Sequence, residues 1–183
     1  MKPAQVRSQS VVGTETRRPQ AMDELEALYR SARDDVFAYA TTLLRDRAAA
    51  EEVTAVAFER ALSRRRTFDR RRGEARAWLF GIVRNAALDE LRRRHRVAAL
   101  APEPAAAGGD EPAADDGELT LRRTVVAAAL AGLPPREREL IALKFHAGLS
   151  NREIARVLGV SESNAGTLLH RAMTALRRAC DAS

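Results

Sequence analysis

Arg64, Arg65 and Arg66, followed by Arg70, Arg71 and Arg72, bracket a single aromatic residue, Phe68. A guanidinium is a planar fork matched to phosphate oxygens, so two such triplets describe a surface for a polyanion rather than a catalytic device. The rest of the chain repeats the preference, with 29 arginines but only two lysines, Lys2 and Lys144. Other chemistries are hard to assemble. Glu51 and Glu52 are adjacent, and adjacent helical residues point to different faces, which does not make a general acid–base pair. The lone cysteine, Cys180, cannot form an internal disulfide, and His95, His146 and His170 do not share metal-ligand spacing with it. No Ser-His-Asp order or phosphate loop is present. The residues therefore predict a binding protein with no metal, no cofactor and no enzymatic activity.

The charge is partitioned along the chain. Residues 1–63 carry a net −1, residues 64–96 a net +8, residues 97–118 a net −6 and residues 119–183 a net +5, which together give the formal +6. A stretch as basic as 64–96 points to nucleic acid, because a solvated helix face usually interleaves Glu with Arg. Residues 97–118 hold Pro102, Pro104, Pro112 and Gly108-Gly109, which read as a linker. Fully extended, such a segment reaches about 70 Å, enough for two domains to grip distant sites. With 45% hydrophobic residues and no apolar run near the ~20 needed to cross a bilayer, the expectation is a two-domain cytoplasmic protein with no membrane insertion.

The elements that must position these residues all read as helices. Leu25, Leu28, Tyr29, Ala32, Val36, Phe37, Ala40, Leu43 and Leu44 recur at three- and four-residue steps, one buried face of a long helix. A second helix spans about 47–64, with Val53, Val56, Ala57, Ala61 and Leu62 as its apolar stripe. After a polar loop over 65–73, a third runs over about 75–94. Its core residues are Trp78, Leu79, Ile82, Val83, Ala86, Ala87 and Leu91, and its polar stripe is Asn85, Asp89 and Arg92. Beyond the linker, helices are expected over 121–133 and 136–145. Ser150 to Glu153 is then a capping box, Gly159 a stop and Ser161 a second cap. Two capped helices joined by a short glycine-containing turn form a helix-turn-helix, whose second helix can enter a DNA major groove. The fold class is all-α, two helical domains on a flexible acidic linker. The divisions are a disordered tail over 1–21, a first domain over 22–96, the linker over 97–118 and the helix-turn-helix domain over 119–183.

The segment from Trp78 to Arg94, WLFGIVRNAALDELRRR, resembles the promoter-melting helix of bacterial sigma factors of the extracytoplasmic-function group. Leu133 to Glu139 (LPPRERE), Gly148 to Ala155 (GLSNREIA) and Leu169 to Ala172 (LHRA) are similar to the C-terminal domain of the same group. The resemblance covers most of residues 23–178. It implies a protein that binds core RNA polymerase, directs it to promoter DNA and assists melting, with an anti-sigma factor as a further possible partner. The first domain would take the minus-ten element and the polymerase clamp, the second the minus-thirty-five element and the polymerase flap.

On that resemblance, Arg66, Arg70, Arg71 and Arg72 follow the exposed backbone, Phe68 or Trp78 offers a stacking face, and Arg84, Asn85 and Arg92 line the same surface. Glu51, Glu52, Glu59 and Arg60 are the candidates for core-polymerase binding. In the second domain Ser150, Arg152 and Ser161 serve phosphates, while Ser163, Asn164, Thr167, His170 and Arg171 serve the groove. Two departures stand out. Gly166 and Leu168 replace residues usually cationic in the group, which predicts that minus-thirty-five binding is weaker or reads a different sequence, and Ala55-Val56 replaces a Gln-acidic pair. The alternative is a helix-turn-helix regulator acting without polymerase, which leaves the first-domain motif unexplained.

Overall fold

The computed structural model describes residues 17–65, 74–100 and 117–182. Helices α1 (Arg17–Leu44), α2 (Arg47–Arg64) and α3 (Ala75–Leu100) form a first bundle, and α4 (Gly117–Gly132), α5 (Pro135–Phe145), α6 (Asn151–Leu158) and α7 (Glu162–Asp181) a second. Among the described residues every regular element is a helix.

α1 buries Ala32, Val36, Tyr39, Ala40 and Leu44, a stripe at steps of three and four. Tyr39 rather than Tyr29 is the buried tyrosine; Tyr29 is 44% exposed. The connection to α2 is two residues long. Arg45 takes the left-handed conformation (φ 53°), and the Asp46 carboxylate accepts from the Ala49 amide at 3.0 Å as N-cap. α2 buries Ala49, Ala50, Val53, Thr54, Ala57 and Ala61, mostly small residues that let it lie close against its neighbours. Val56 and Leu62, expected in its apolar stripe, are exposed. α3 supplies Leu79, Phe80, Ile82, Val83, Ala86 and Ala87 to the same core, and Phe80 meets Tyr39 edge to face at 5.4 Å.

Three boundaries differ from expectation. α1 starts at Arg17, inside the proposed tail. α3 continues through Val97-Ala98-Ala99-Leu100, because these residues tolerate a helix and Pro102 is the first that cannot continue one. α4 starts at Gly117. The remainder of the tail and linker readings, residues 1–16 and 101–116, lies outside the described residues.

In the second bundle α7 packs against α4, α5 and α6. Pro135 opens α5 at its first position, where its missing amide hydrogen costs nothing. The capping box forms as expected: Ser150 N donates to the Glu153 carboxylate at 2.8 Å, and Glu153 N donates to Ser150 Oγ at 3.3 Å. Gly159 (φ 70°) closes α6 and Ser161 caps α7. The two bundles do not stand apart. α5 packs on α1 and α6 on α3, so a helix of the second domain is buried on two sides.

Candidate nucleic-acid and polymerase interfaces

α3 carries Trp78, Arg84, Asn85 and Arg92 of the first-domain candidates. Asn85 and Arg92 are exposed on it, one turn either side of Asp89. Asp89 accepts from Arg92 Nη1 and from Arg60 Nη1 of α2, each at 3.3 Å, so Arg60, Asp89 and Arg92 form one exposed network across two helices. Trp78 is half buried and packs on the core. Arg66, Phe68, Arg70, Arg71 and Arg72 lie outside the described residues.

Arg84 is a correction. Its guanidinium turns away from Asn85 toward α5, where Nε donates to Glu139 Oε1 at 2.6 Å. Glu139 is buried and also accepts from the Tyr39 hydroxyl at 3.3 Å, so one carboxylate of the second domain holds two residues of the first. Burial pushes the Tyr39 phenol up, and the adjacent Glu139 charge adds to it. A second set of contacts lies nearby. Arg76 pairs with Asp35 of α1 and donates to the backbone carbonyls of His146 and Ala147 at the end of α5. His146 Nε2 lies 3.4 Å from Thr42 Oγ1, and burial pulls the imidazole below its ordinary value, opposed in part by Asp35.

The basic stretch is thus largely ion-paired beyond residue 74, where carboxylates of α3 itself and of other elements answer it. Glu90 accepts from Arg93 at 2.7 and 2.8 Å and from Arg94 at 2.8 Å, and the Arg93 bond chiefly holds its carboxyl below the usual range. Arg94 also reaches Asp46 at 2.8 Å, tying α3 to the α1–α2 corner. The Ala49 amide, assisted by Arg94, holds the Asp46 carboxyl low.

Glu51, Glu52 and Glu59 are exposed along the outer face of α2, with Glu51 paired to Arg47 at 3.4 Å. Sequence reasoning missed their apolar neighbours. Val56 and Leu62 are exposed on the same helix, and Tyr29 leans edge to face on Phe58 at 4.7 Å. An outer face mixing carboxylates with exposed apolar groups suits a protein partner rather than DNA. The periodicity that marks these residues as core is the reason they were not seen.

On α7, Ser163, Asn164, Thr167, His170 and Arg171 are all exposed and fall at helical spacing along one side. Ser150 and Ser161 are exposed at the two helix starts, and Arg152 is exposed in the first turn of α6. Thr167 Oγ1 donates to the Ser163 carbonyl at 3.1 Å, leaving its lone pairs outward. Gly166 and Leu168 are not on this face. A Cβ on Gly166 would meet Asn151 Nδ2 of α6 at 3.5 Å, and Leu168 packs on the core. No helix of the described residues is long and apolar enough to cross a membrane.

Both bundles are similar to known proteins. Residues 28–97 match the family described as sigma-70 region 2, and residues 123–176 match sigma-70, region 4. The chain is 31% identical over 153 residues to the ECF RNA polymerase sigma factor SigL of Mycobacterium tuberculosis, covering 84% of this chain and 86% of that one. It is 33% identical over 159 residues to the RNA polymerase sigma factor CarQ of Myxococcus xanthus, covering 86% and 89%. It is 34% identical over 158 residues to the ECF sigma factor BldN of Streptomyces coelicolor, covering 85% of this chain but 60% of BldN's length. The fold is shared with the sigma factor RpoE solved with the anti-sigma factor NepR from Bartonella quintana, at a TM-score of 0.76 and 22% identity, covering 87% of this chain and 98% of that one. It is also shared with CnrH solved with the cytosolic domain of CnrY, at 0.64 and 24%, covering 90% and 95%.

Proposed function

Because the chain belongs to the extracytoplasmic-function sigma factors of bacterial RNA polymerase, we propose that its two bundles divide promoter recognition and polymerase docking between them. The protein binds core RNA polymerase, directs it to promoters and supports initiation there. Its own contribution is binding rather than bond-making, and it works in the cytoplasm beside the polymerase. Anti-sigma proteins are partners of the fold, as the RpoE–NepR and CnrH–CnrY complexes illustrate for those proteins.

The α3 face carrying Asn85 and Arg92 takes the minus-ten strand. Unstacking each base step costs a few kcal/mol, so bases must be held by stacking and hydrogen bonds as they leave the duplex. Asn85 offers both a donor and an acceptor to a base edge, and Arg92 a charge to the backbone. The α2 face with Glu51, Glu52, Glu59, Val56 and Leu62 docks on the polymerase. α7 enters the major groove, with Asn164, Thr167, His170 and Arg171 toward bases and phosphates, while Ser150, Arg152 and Ser161 position the helix starts on the backbone.

The observation that carries the reading is the pairing, in one chain, of a helix-turn-helix with an α1–α3 bundle that a stand-alone regulator does not need. Gel-shift measurements on a promoter duplex separate the two. The chain alone should shift the duplex poorly, core polymerase alone without sequence preference, and both together specifically. Tight, specific binding by the chain alone, unchanged by polymerase, would favour the independent regulator.

A further inference from the structure

A cleft of about 450 Å³ opens between the two bundles. Leu43 of α1, Leu88 and Leu91 of α3 and Leu158 of α6 form its apolar wall. Facing them is the first turn of α5, with Pro135, Arg136 and Arg138. Arg84 and Glu139 lie at its floor and neutralise each other at 2.6 Å.

Arg138 is the anomaly. The residue is only 8% exposed, yet its one hydrogen bond given by the structure is from Nη1 to the Ala131 carbonyl at 3.2 Å, and its Nε has no partner. Among the described residues neither Arg138, Arg136 nor Arg45 forms an ion pair. Burial, with the Arg45 charge adding to it, pulls the Arg138 guanidinium below its ordinary value. A buried charge without a counter-ion is expensive, and in folded proteins it ordinarily has one. Glu139, its neighbour in sequence, turns its Oε1 to Arg84 and Tyr39 and forms no ion pair with Arg138. The first turn of α5 has no side-chain cap, and its Pro135, Arg136 and Arg138 line the same space.

We propose that this cleft is a binding site for a small organic phosphate, its apolar or planar body against the leucine wall and its phosphate on Arg138 and Arg136. The volume suits a ligand of mononucleotide size. Arginine forks favour phosphate over a single carboxylate. Since the cleft is walled by both bundles, an occupant touches both and favours the arrangement in which they are packed together. The site is separate from the α3, α2 and α7 faces assigned above.

The test is isothermal titration of the full chain, without polymerase, using ADP as the organic probe and inorganic pyrophosphate as the probe for the arginines alone. ADP should bind with a Kd below about 1 mM, and pyrophosphate about tenfold or more weaker, since it lacks a body for the leucine wall. Arg138→Gln should weaken ADP binding by about tenfold or more, and Arg136→Gln, an exposed residue whose loss leaves folding intact, by several-fold. Thermal melts of both variants show that loss of binding is not loss of fold. The proposal is overturned if ADP gives no heat at about 1 mM, if pyrophosphate binds equally well, or if neither substitution alters binding. A glutamate-rich peptide that binds the same arginines more tightly than ADP would also overturn it, in favour of a protein partner.

Discussion

Replacing Glu139 by Gln keeps the shape of the side chain that joins the two bundles and removes its charge. Arg84 and Glu139 retain only 23% and 11% of their side-chain exposure, so the pair is mostly desolvated and screening discounts it little. Hydrogen bonds to charged groups contribute about 1.5–3 kcal/mol, and neutral ones about 1. The substitution therefore leaves a half-buried guanidinium facing an amide and should destabilise the chain by about 1–2 kcal/mol. Glu139→Ala, which also orphans the Tyr39 hydroxyl, should cost about 2–4 kcal/mol. Urea unfolding followed by Trp78, the only tryptophan, reads these differences directly. A double-mutant cycle with Arg84→Gln isolates the pair and should give a coupling of about 1.5 kcal/mol. A coupling below about 0.5 kcal/mol would refute the view that this carboxylate holds Arg84, and with it the assignment of Arg84 to the inner rather than the DNA-facing side.

Tyr39 is raised when folded, so the unfolded chain ionises first. Stability is full below about pH 10 and falls as pH rises beyond it, and Tyr39→Phe should remove that slope in alkaline melts. His146 is lowered when folded, so the unfolded chain takes up a proton first. Stability is full above about pH 6.5 and falls below it; His146→Gln should flatten urea midpoints compared between about pH 7.5 and 5.5. Gly166→Ala should raise stability by about 0.8 kcal/mol, since the glycine sits inside α7 with ordinary room for a Cβ, whereas Gly159→Ala should lower it by about 1 kcal/mol because of its φ of 70°. Asn85→Ala combined with Arg92→Ala should lower the promoter-opening equilibrium, read by permanganate reactivity of promoter thymines, by about 30-fold, about 1 kcal/mol per lost contact, while leaving duplex binding by α7 unchanged.

What could be read in the sequence is what depends on neighbours along the chain. The ends of α2, the capping box at Ser150–Glu153 and the stop at Gly159 are local, and periodicity placed them where the structure has them. The misplacements involve partners far along the chain. Arg84 looks outward on the α3 helical wheel, and only the packing of α5 supplies Glu139, 55 residues later, to receive it. Arg93 and Arg94 meet Glu90 on their own helix, but the Asp46 that Arg94 also reaches is brought to it from the α1–α2 corner. The same packing explains why Arg138 and Glu139 are buried although nothing in α5's pattern distinguishes them from surface residues. Tyr29 and Tyr39 both fit a helical stripe, and the choice between them rests on where α2 and α3 lie. The reading of 97–118 as wholly linker failed at its first four residues because valine, alanine and leucine sustain the helix through Leu100.

Run-off transcription on a promoter library, using purified core polymerase with and without this chain, decides whether the protein directs initiation. Transcripts should start from a small, defined set of promoters only when the chain is present, and be lost when the α2 face is altered at Val56 and Leu62. Identical transcripts with and without the chain, together with no co-elution of the two, would contradict that role.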